Sequence, residues 1–130
     1  MFTGTIKLEL CEASGLRATE KQRKFWQDES PVLDPYVQFD IDENYLNKSS
    51  TKAKTFDPVW NECFTHDVHD ACLLNLTVFH NAALQPDDFV ANCSIPFEVL
   101  MQREDDTADL WVSILIDQNL ISFITFQIKL

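Results

Sequence analysis

The sequence predicts an all-β fold, an eight-stranded antiparallel β-sandwich with one short helix. Short segments along the 130 residues alternate apolar and polar side chains, as strands with one buried and one solvated face do. These segments recur at fairly regular spacing with turn-forming residues between them, which is typical of two packed sheets. With 45% apolar residues, the chain can bury one core but is too short for two ordinary domains. We therefore expect residues 1–130 to form a single domain.

Four strands are predicted in the first half of the chain. Thr3–Cys11 and Asp34–Ile41 alternate clearly, and residues 42–44 supply a turn after the second of them. Lys48–Thr55 is polar on both faces, which suits an outer strand. The fourth predicted strand is Trp60–Thr65.

The second half of the chain continues the pattern. Four more strands are predicted, at Leu73–Phe79, Phe89–Ile95, Leu110–Ile116 and Leu120–Leu130. The segment His66–Cys72, rich in Asp and His, is predicted to be a loop, and residues 117–119 a turn. Proline suits the first position of a helix, so we expect a short helix at Pro96–Arg103.

Two connections are longer than a turn requires, Arg17–Pro31 and His80–Asp88. Surplus loop on a rigid scaffold is where binding residues collect, so function is predicted in these segments. The first connection carries basic residues that run directly into two aromatic ones: Arg17, Lys21, Arg23, Lys24, Phe25 and Trp26.

Composition narrows the possible functions. Ten basic and 21 acidic residues give a net charge of -11, which opposes non-specific binding to nucleic acid or to an anionic bilayer, so any attraction to phosphate must be local. The amino terminus lacks the apolar run of a signal peptide, which predicts a cytoplasmic protein. Four cysteines without paired close spacing are predicted to be reduced core residues. A chain with two glycines and no nucleophile motif is not expected to be an enzyme by itself.

Three motifs point to a known family. Asp34–Val37 (DPYV), Pro58–Glu62 (PVWNE) and Asp87–Ala91 (DDFVA) follow one another in the order and at the spacing of the C2 domain, the lipid-binding Greek-key β-sandwich of signalling proteins. The sequence therefore resembles a C2 domain.

A closer resemblance is to the amino-terminal C2 domain of novel, calcium-independent protein kinase C, epsilon or eta type. It extends from Phe2 to about Trp111 and is carried by Cys11–Ala13 with Leu16, Lys52–Thr55, Val78–His80 and Asp87–Cys93. This resemblance implies a regulatory module of a serine/threonine protein kinase that moves from the cytoplasm to membranes.

The resemblance also implies a degenerate calcium site. Asp34 and Asp88 match two of the aspartates that bind calcium in the family, whereas His80 and Ala82 stand where two central aspartates belong. Calcium prefers several carboxylate oxygens, which an imidazole and a methyl group do not supply. We expect no metal and no cofactor, with loop solvation and turn capping as the ordinary role of Asp87 and Asp88.

Contact with an anionic phospholipid membrane is the first predicted function, and the resemblance implies phosphatidic acid or phosphatidylserine as the lipid. The residues predicted to carry it are Arg17, Lys21, Arg23, Lys24, Phe25, Trp26, Leu84, Lys52 and Lys54. Rings can sit at headgroup level while ammonium groups meet phosphate. Two alternatives stay open: Trp26 covers the sheet instead, and Lys52 and Lys54 merely protect a sheet edge.

Protein binding is the second predicted function. The resemblance implies that one segment binds an anchoring protein for the activated kinase, and that a second segment mimics this partner in an autoinhibitory contact with the kinase's own chain. The first contains Glu12, Ala13, Leu16 and Thr19, and the second His80, Asp87 and Asp88.

A zinc site is a third, weaker hypothesis. His66, His69 and Cys72 are spaced as H-x-x-H-x-x-C, but no fourth ligand lies at metal-site spacing.

Overall fold

The computed structural model describes residues 1–25, 32–83, 86–102, 110–115 and 123–130. Within them the strands are β1 (Phe2–Ser14), β2 (Pro35–Ile41), β3 (Asn44–Lys48), β4 (Val59–Ala71), β5 (Leu73–His80), β6 (Asp88–Pro96), β7 (Leu110–Leu115) and β8 (Phe123–Lys129). Two short helices are α1 (Glu20–Phe25) and α2 (Phe97–Met101). The strands form two antiparallel four-stranded sheets, in the orders β4-β1-β8-β7 and β3-β2-β5-β6. The predicted all-β sandwich is confirmed.

The core lies between the sheets and follows the period-two pattern. Inward-facing positions of the central strands are at most 3% exposed: Ile6, Leu8 and Leu10 in β1, Val37 and Phe39 in β2, Leu74, Leu76 and Val78 in β5, and Ile124, Phe126 and Ile128 in β8. Each such side chain contributes about 1.5–3 kcal/mol by leaving water. The rings of Phe39 and Phe64, from opposite sheets, lie 5.2 Å apart and join the two halves of the core.

The prediction of a loop at His66–Cys72 was wrong, because β4 continues to Ala71. This part of β4 pairs with the start of β1, as the register of Ile6 with His66 shows. The hydroxyl of Thr5 donates a 2.6 Å hydrogen bond to Asp67 Oδ1 across the pair. β4 is an edge strand with one wet face, so Asp and His side chains are compatible with it.

The prediction of an outer strand at Lys48–Thr55 was also wrong. The outer strand is β3, which ends at Lys48 and follows a tight turn in which Asp42 and Glu43 both have positive φ. The segment after it still follows β2: three of its backbone N–H groups donate to β2-side carbonyls, Ser49 to Val37, Lys52 to Pro35 and Thr55 to Leu33, at 2.8–3.0 Å. Because the donors are three residues apart rather than two, no regular ladder forms.

α2 closes the end of the sandwich at which β1 begins. Pro96 is its N-cap rather than its first residue, and the helix ends at Met101, inside the predicted range. Phe97 is fully buried, and its ring stacks on that of Phe2 at 5.5 Å. No helix among the described residues is long and apolar enough to cross a bilayer. The predicted turn at residues 117–119 lies outside the described residues.

All four cysteine thiols are free. The prediction that all four are core residues was wrong. Cys63 and Cys72 are exposed because they lie on and next to the wet edge strand β4. Cys11 and Cys93 are partly buried, and burial raises the pKa of the Cys93 thiol to about 11.

Candidate functional site

Three connections meet at one end of the sandwich. We call them loop 1 (residues 15–34), loop 2 (residues 49–58) and loop 3 (residues 81–87). Loops 1 and 3 adjoin because Pro35 pairs with His80, and the N–H of Asn81 donates a 2.9 Å hydrogen bond to the carbonyl of Asp34. Loop 2 joins them, since the N–H of Leu16 donates to the carbonyl of Phe56 at 3.1 Å.

Loop 1 is built around a capping box at the start of α1. The Thr19 hydroxyl accepts a 3.1 Å hydrogen bond from the N–H of Gln22, and the Gln22 side-chain oxygen accepts a 2.9 Å bond from the N–H of Thr19. The Gln22 amide group also donates to the carbonyl of Val32 at 2.9 Å. Both Thr19 and Gln22 are buried. The T-x-x-Q pattern is a sequence signal for this structure that was not among the predictions.

Asp88 ties loop 1 to the start of β6. Its Oδ2 accepts a 3.4 Å hydrogen bond from the Thr19 hydroxyl, and its Oδ1 lies 3.3 Å from Lys21 Nζ. The Asp88 side chain is 12% exposed and that of Lys21 62%. A groove of about 420 Å³ lies between these elements, with Arg17 and Phe89 also in its walls.

Asp87, the preceding residue, is bonded to β2 and to loop 3. Its Oδ2 accepts a 2.6 Å hydrogen bond from the Tyr36 hydroxyl, and its Oδ1 accepts a 3.1 Å bond from the N–H of Ala82. Burial, followed by the hydrogen bond to Asp87, raises the pKa of Tyr36 to about 12. The Tyr36 ring stacks on Phe79 at 5.6 Å, and Lys48 Nζ lies 5.6 Å from its centroid.

Asp34 and His80 join the three loops. The N–H of Asp34 donates a 2.9 Å hydrogen bond to His80 Nδ1, and Asp34 Oδ1 accepts a 2.7 Å bond from the N–H of Lys54. His80 Nδ1 is therefore an acceptor and carries no proton in this arrangement. In the part of the chain that the structure describes, no group of three or more His, Cys, Asp or Glu side chains is placed to hold a metal ion.

The sequence profile of the C2 domain matches residues 4–114. The chain belongs to the C2 domain family. It is 53% identical over 120 residues to "Protein kinase C" of Drosophila melanogaster, covering 88% of this chain and 16% of that protein. It is 35% identical over 117 residues to "Protein kinase C epsilon type" of Oryctolagus cuniculus, again covering 88% of this chain and 16% of that protein. The C2 domain thus spans about a sixth of the length of these relatives.

Solved structures share the fold of this C2 domain. A calcium-bound structure of two C2 domains of Extended-Synaptotagmin 2 superposes with a TM-score of 0.74 at 17% identity, covering 99% of this chain and 46% of that one.

Most of the residues predicted to contact lipid are on loops 1 and 2 of the C2 domain. Arg17, Lys21 and Lys54 are exposed, and Lys52 is partly buried. The backbone of Arg23, Lys24 and Phe25 forms the second half of α1. Trp26 and Leu84 lie outside the described residues.

Exposed apolar side chains at this end include Val32 and Phe89, which were not predicted to contact lipid. Val32 is 42% exposed and Phe89 55%. The pairing of β5 with β6 shifts between Val78 and Phe79, so one extra residue is inserted in β6. This bulge turns the side chain of Phe89 outward.

Three of the four residues predicted to bind an anchoring protein are buried. Ala13, Leu16 and Thr19 are 3–5% exposed, whereas Glu12 is exposed. In the second predicted segment, His80, Asp87 and Asp88 are partly buried and hold the loops together.

The three residues of the zinc hypothesis are not arranged as a site. His66 and His69 are three positions apart in β4, and such residues point to opposite faces of a strand. His66 Nε2 lies 3.0 Å from Asn47 Nδ2, and His69 Nδ1 lies 3.1 Å from Asp70 Oδ2.

Proposed function

We propose that this C2 domain brings a protein of the protein kinase C type to anionic phospholipid membranes without calcium. The observation that carries the proposal is the separation of charge between the loop end and the rest of the chain. Loops 1 to 3 together contain six basic and six acidic residues, whereas the described residues outside these loops contain three basic and ten acidic ones. An anionic surface therefore repels the body of the domain and favours an approach with the loops first.

Exposed side chains at the loop end suit contact with a lipid surface. Arg17 and Lys54 supply cationic groups, each worth about 1 kcal/mol near an anionic bilayer, and Lys21 adds an exposed ammonium that it shares with Asp88. Val32 and Phe89 supply apolar surface that can enter the headgroup region. Trp26 and Leu84 belong to the same proposal on sequence grounds, as do Arg23, Lys24, Phe25 and Lys52.

Independence from calcium is supported by the use of the acidic side chains. Oxygens of Asp34, Asp87 and Asp88 all accept hydrogen bonds from the loops or the sheet, which a metal ion would have to displace. These internal bonds hold the loops together without a metal.

The relatives support a proposal for the wider role. We propose that residues 1–130 are one C2 domain in a cytoplasmic serine/threonine kinase that translocates to membranes. The exposed Glu12 and Arg17 would form part of an anchoring-protein surface, and loop 3 part of an autoinhibitory contact with the kinase domain.

Vesicle sedimentation tests lipid targeting. The domain is mixed with phosphatidic acid, phosphatidylserine or phosphatidylcholine vesicles, in calcium or in chelator. We expect equal binding to the anionic vesicles in both buffers, and a loss of about thirtyfold or more when Arg17 and Lys54 are both changed to Glu, from two lost contacts of about 1 kcal/mol each.

In the matched control, Lys7 and Lys129 are both changed to Glu. These two lysines pair across β1 and β8 on an exposed face away from the loops. This variant makes the same change in net charge and should keep binding within about threefold of the wild type. Equal losses in both double variants would contradict a loop-specific surface. Binding only in calcium would contradict calcium independence, and no binding to any vesicle would favour a protein-interaction module.

A further inference from the structure

The Asp88 carboxylate contacts two side chains of a segment almost 70 positions earlier in the sequence. Lys21 Nζ is 3.3 Å from one carboxylate oxygen, and the Thr19 hydroxyl is 3.4 Å from the other. The Asp88 side chain is 12% exposed, so this charge is largely removed from water. A carboxylate in that position requires a positive or hydrogen-bonding partner, and loop 1 supplies both.

A divalent cation bound by Asp88 would compete with this arrangement. Calcium binds carboxylate oxygens at about 2.4 Å, which would place two cations, with three positive charges in all, around one carboxylate if Lys21 kept its place. The neighbouring carboxylates are engaged as well, Asp34 by the N–H of Lys54 and Asp87 by Tyr36 and Ala82.

We propose that the Lys21 ammonium is a tethered cation that holds loop 1 against Asp88, so that the chain itself supplies the positive charge for this carboxylate. Lys21 and Asp88 are positioning residues: they set where α1 sits relative to the start of β6. The contact between Lys21 and Asp88 holds the loops in the free domain and so does not depend on membrane binding.

Amide hydrogen exchange of the free domain, followed by mass spectrometry of the peptide covering residues 19–25, tests the proposal. Lys21→Met removes the charge and keeps most of the chain length. We expect exchange about two- to fivefold faster in that peptide, the size appropriate to an ion pair with one exposed partner. Lys21→Glu places a second negative charge beside Asp88, so the same peptide should exchange faster still in that variant.

Two controls separate the ion pair from general destabilisation. Lys7→Met removes an exposed lysine from β1 and should leave residues 19–25 unchanged. A peptide covering residues 73–80 of β5 should exchange at the wild-type rate in every variant, because the core strands do not depend on the pair.

Salt and calcium complete the test. Raising salt to about 1 M should speed exchange of residues 19–25 in the wild type and leave Lys21→Met unchanged, because salt screens the pair. Calcium at about 1 mM should not slow exchange in the wild type. Wild-type exchange in Lys21→Met would overturn the proposal, and so would strong slowing of the wild type by calcium.

Discussion

Two neighbouring aspartates at the loop end have different structural roles. Asp87 accepts a hydrogen bond from the Tyr36 hydroxyl and so connects loop 3 to the sheet. Asp88 contacts Thr19 and Lys21 and so connects the start of β6 to loop 1. Successive side chains of an extended backbone point in opposite directions, so one dipeptide reaches both neighbours. The motif Asp87–Ala91, which resembles the C2 family, therefore also holds loops 1 and 3 to the strands of this chain.

The first prediction at the residue scale concerns the hydroxyl of Tyr36. Tyr36→Phe keeps the ring stack on Phe79 and removes the hydrogen bond to a carboxylate. We expect the free energy of unfolding to fall by about 1.5–3 kcal/mol at neutral pH, measured by urea denaturation. Tyr45→Phe, at a tyrosine that is 59% exposed, is the control and should change it by less than about 0.5 kcal/mol.

A second prediction concerns alkaline pH. The pKa of Tyr36 is raised from 10.0 to about 12 in the folded protein, so the folded state holds the phenol proton more tightly than the unfolded state. The stability that this shift contributes is complete below pH 10 and is lost as the pH rises towards 12. Urea midpoints should therefore fall more steeply with pH in the wild type than in Tyr36→Phe. Parallel slopes for the two proteins would contradict this role of Tyr36.

At the scale of elements, two short features determine which side chains reach the loop surface. The capping box of Thr19 and Gln22 begins α1 and also holds Val32, so that a helix of six residues has a defined position. The bulge in β6 turns Phe89 towards solvent. Both features act on only a few residues, yet they decide what a membrane or a partner meets.

A prediction for α1 follows from the capping box. Thr19→Ala removes the hydroxyl that accepts from Gln22 and donates to Asp88, and should cost about 1 kcal/mol in the free energy of unfolding. Thr19→Ser keeps the hydroxyl and should lose less than half as much. If the two variants were equally destabilised in urea, packing of the Thr19 methyl group would be the cause instead.

A prediction for β6 compares two phenylalanines of opposite burial. Phe89→Ala should change the free energy of unfolding by less than about 1 kcal/mol, because the side chain is 55% exposed. Phe97→Ala should cost about 3–5 kcal/mol, because that ring is fully buried against Phe2. Similar losses in both variants, measured by urea denaturation, would mean that the bulge does not expose Phe89 in solution.

At the scale of the whole molecule, the distribution of charge matters more than its total. The described residues outside the three loops contain ten acidic and three basic ones, so the body of the domain repels itself as well as anionic surfaces. The loops are balanced in charge and carry the exposed cations Arg17, Lys21 and Lys54. Folding and lipid binding should therefore respond to salt in opposite directions.

The prediction at this scale uses salt alone. Raising the ionic strength from about 0.02 M to about 0.3 M should raise the thermal midpoint, because screening reduces repulsion within the body. The same change should weaken binding to phosphatidylserine vesicles. Calorimetry and sedimentation of one preparation measure both effects, and a thermal midpoint that falls with salt would contradict the role of repulsion.

Much of the fold was readable in the sequence because it depends on local pattern. Alternation at Ile6, Leu8 and Leu10 marks the inner face of β1, since each side chain of a strand faces either the core or water. Pro96 likewise marks the start of α2, because proline is favoured at the beginning of a helix. The two long connections were recognised as the candidate site because their length and composition break the alternation.

Tertiary structure decided what depends on distant partners. The polar segment from His66 to Ala71 is a strand only because β1 pairs with it. The segment that contains Lys52 follows β2 without forming a ladder, because its three backbone donors are three residues apart. The contacts of Asp88 with Lys21 likewise join groups far apart in the sequence. Sequence patterns determine which face of a segment is apolar, whereas the pairing of strands and of charges depends on which segments the fold brings together.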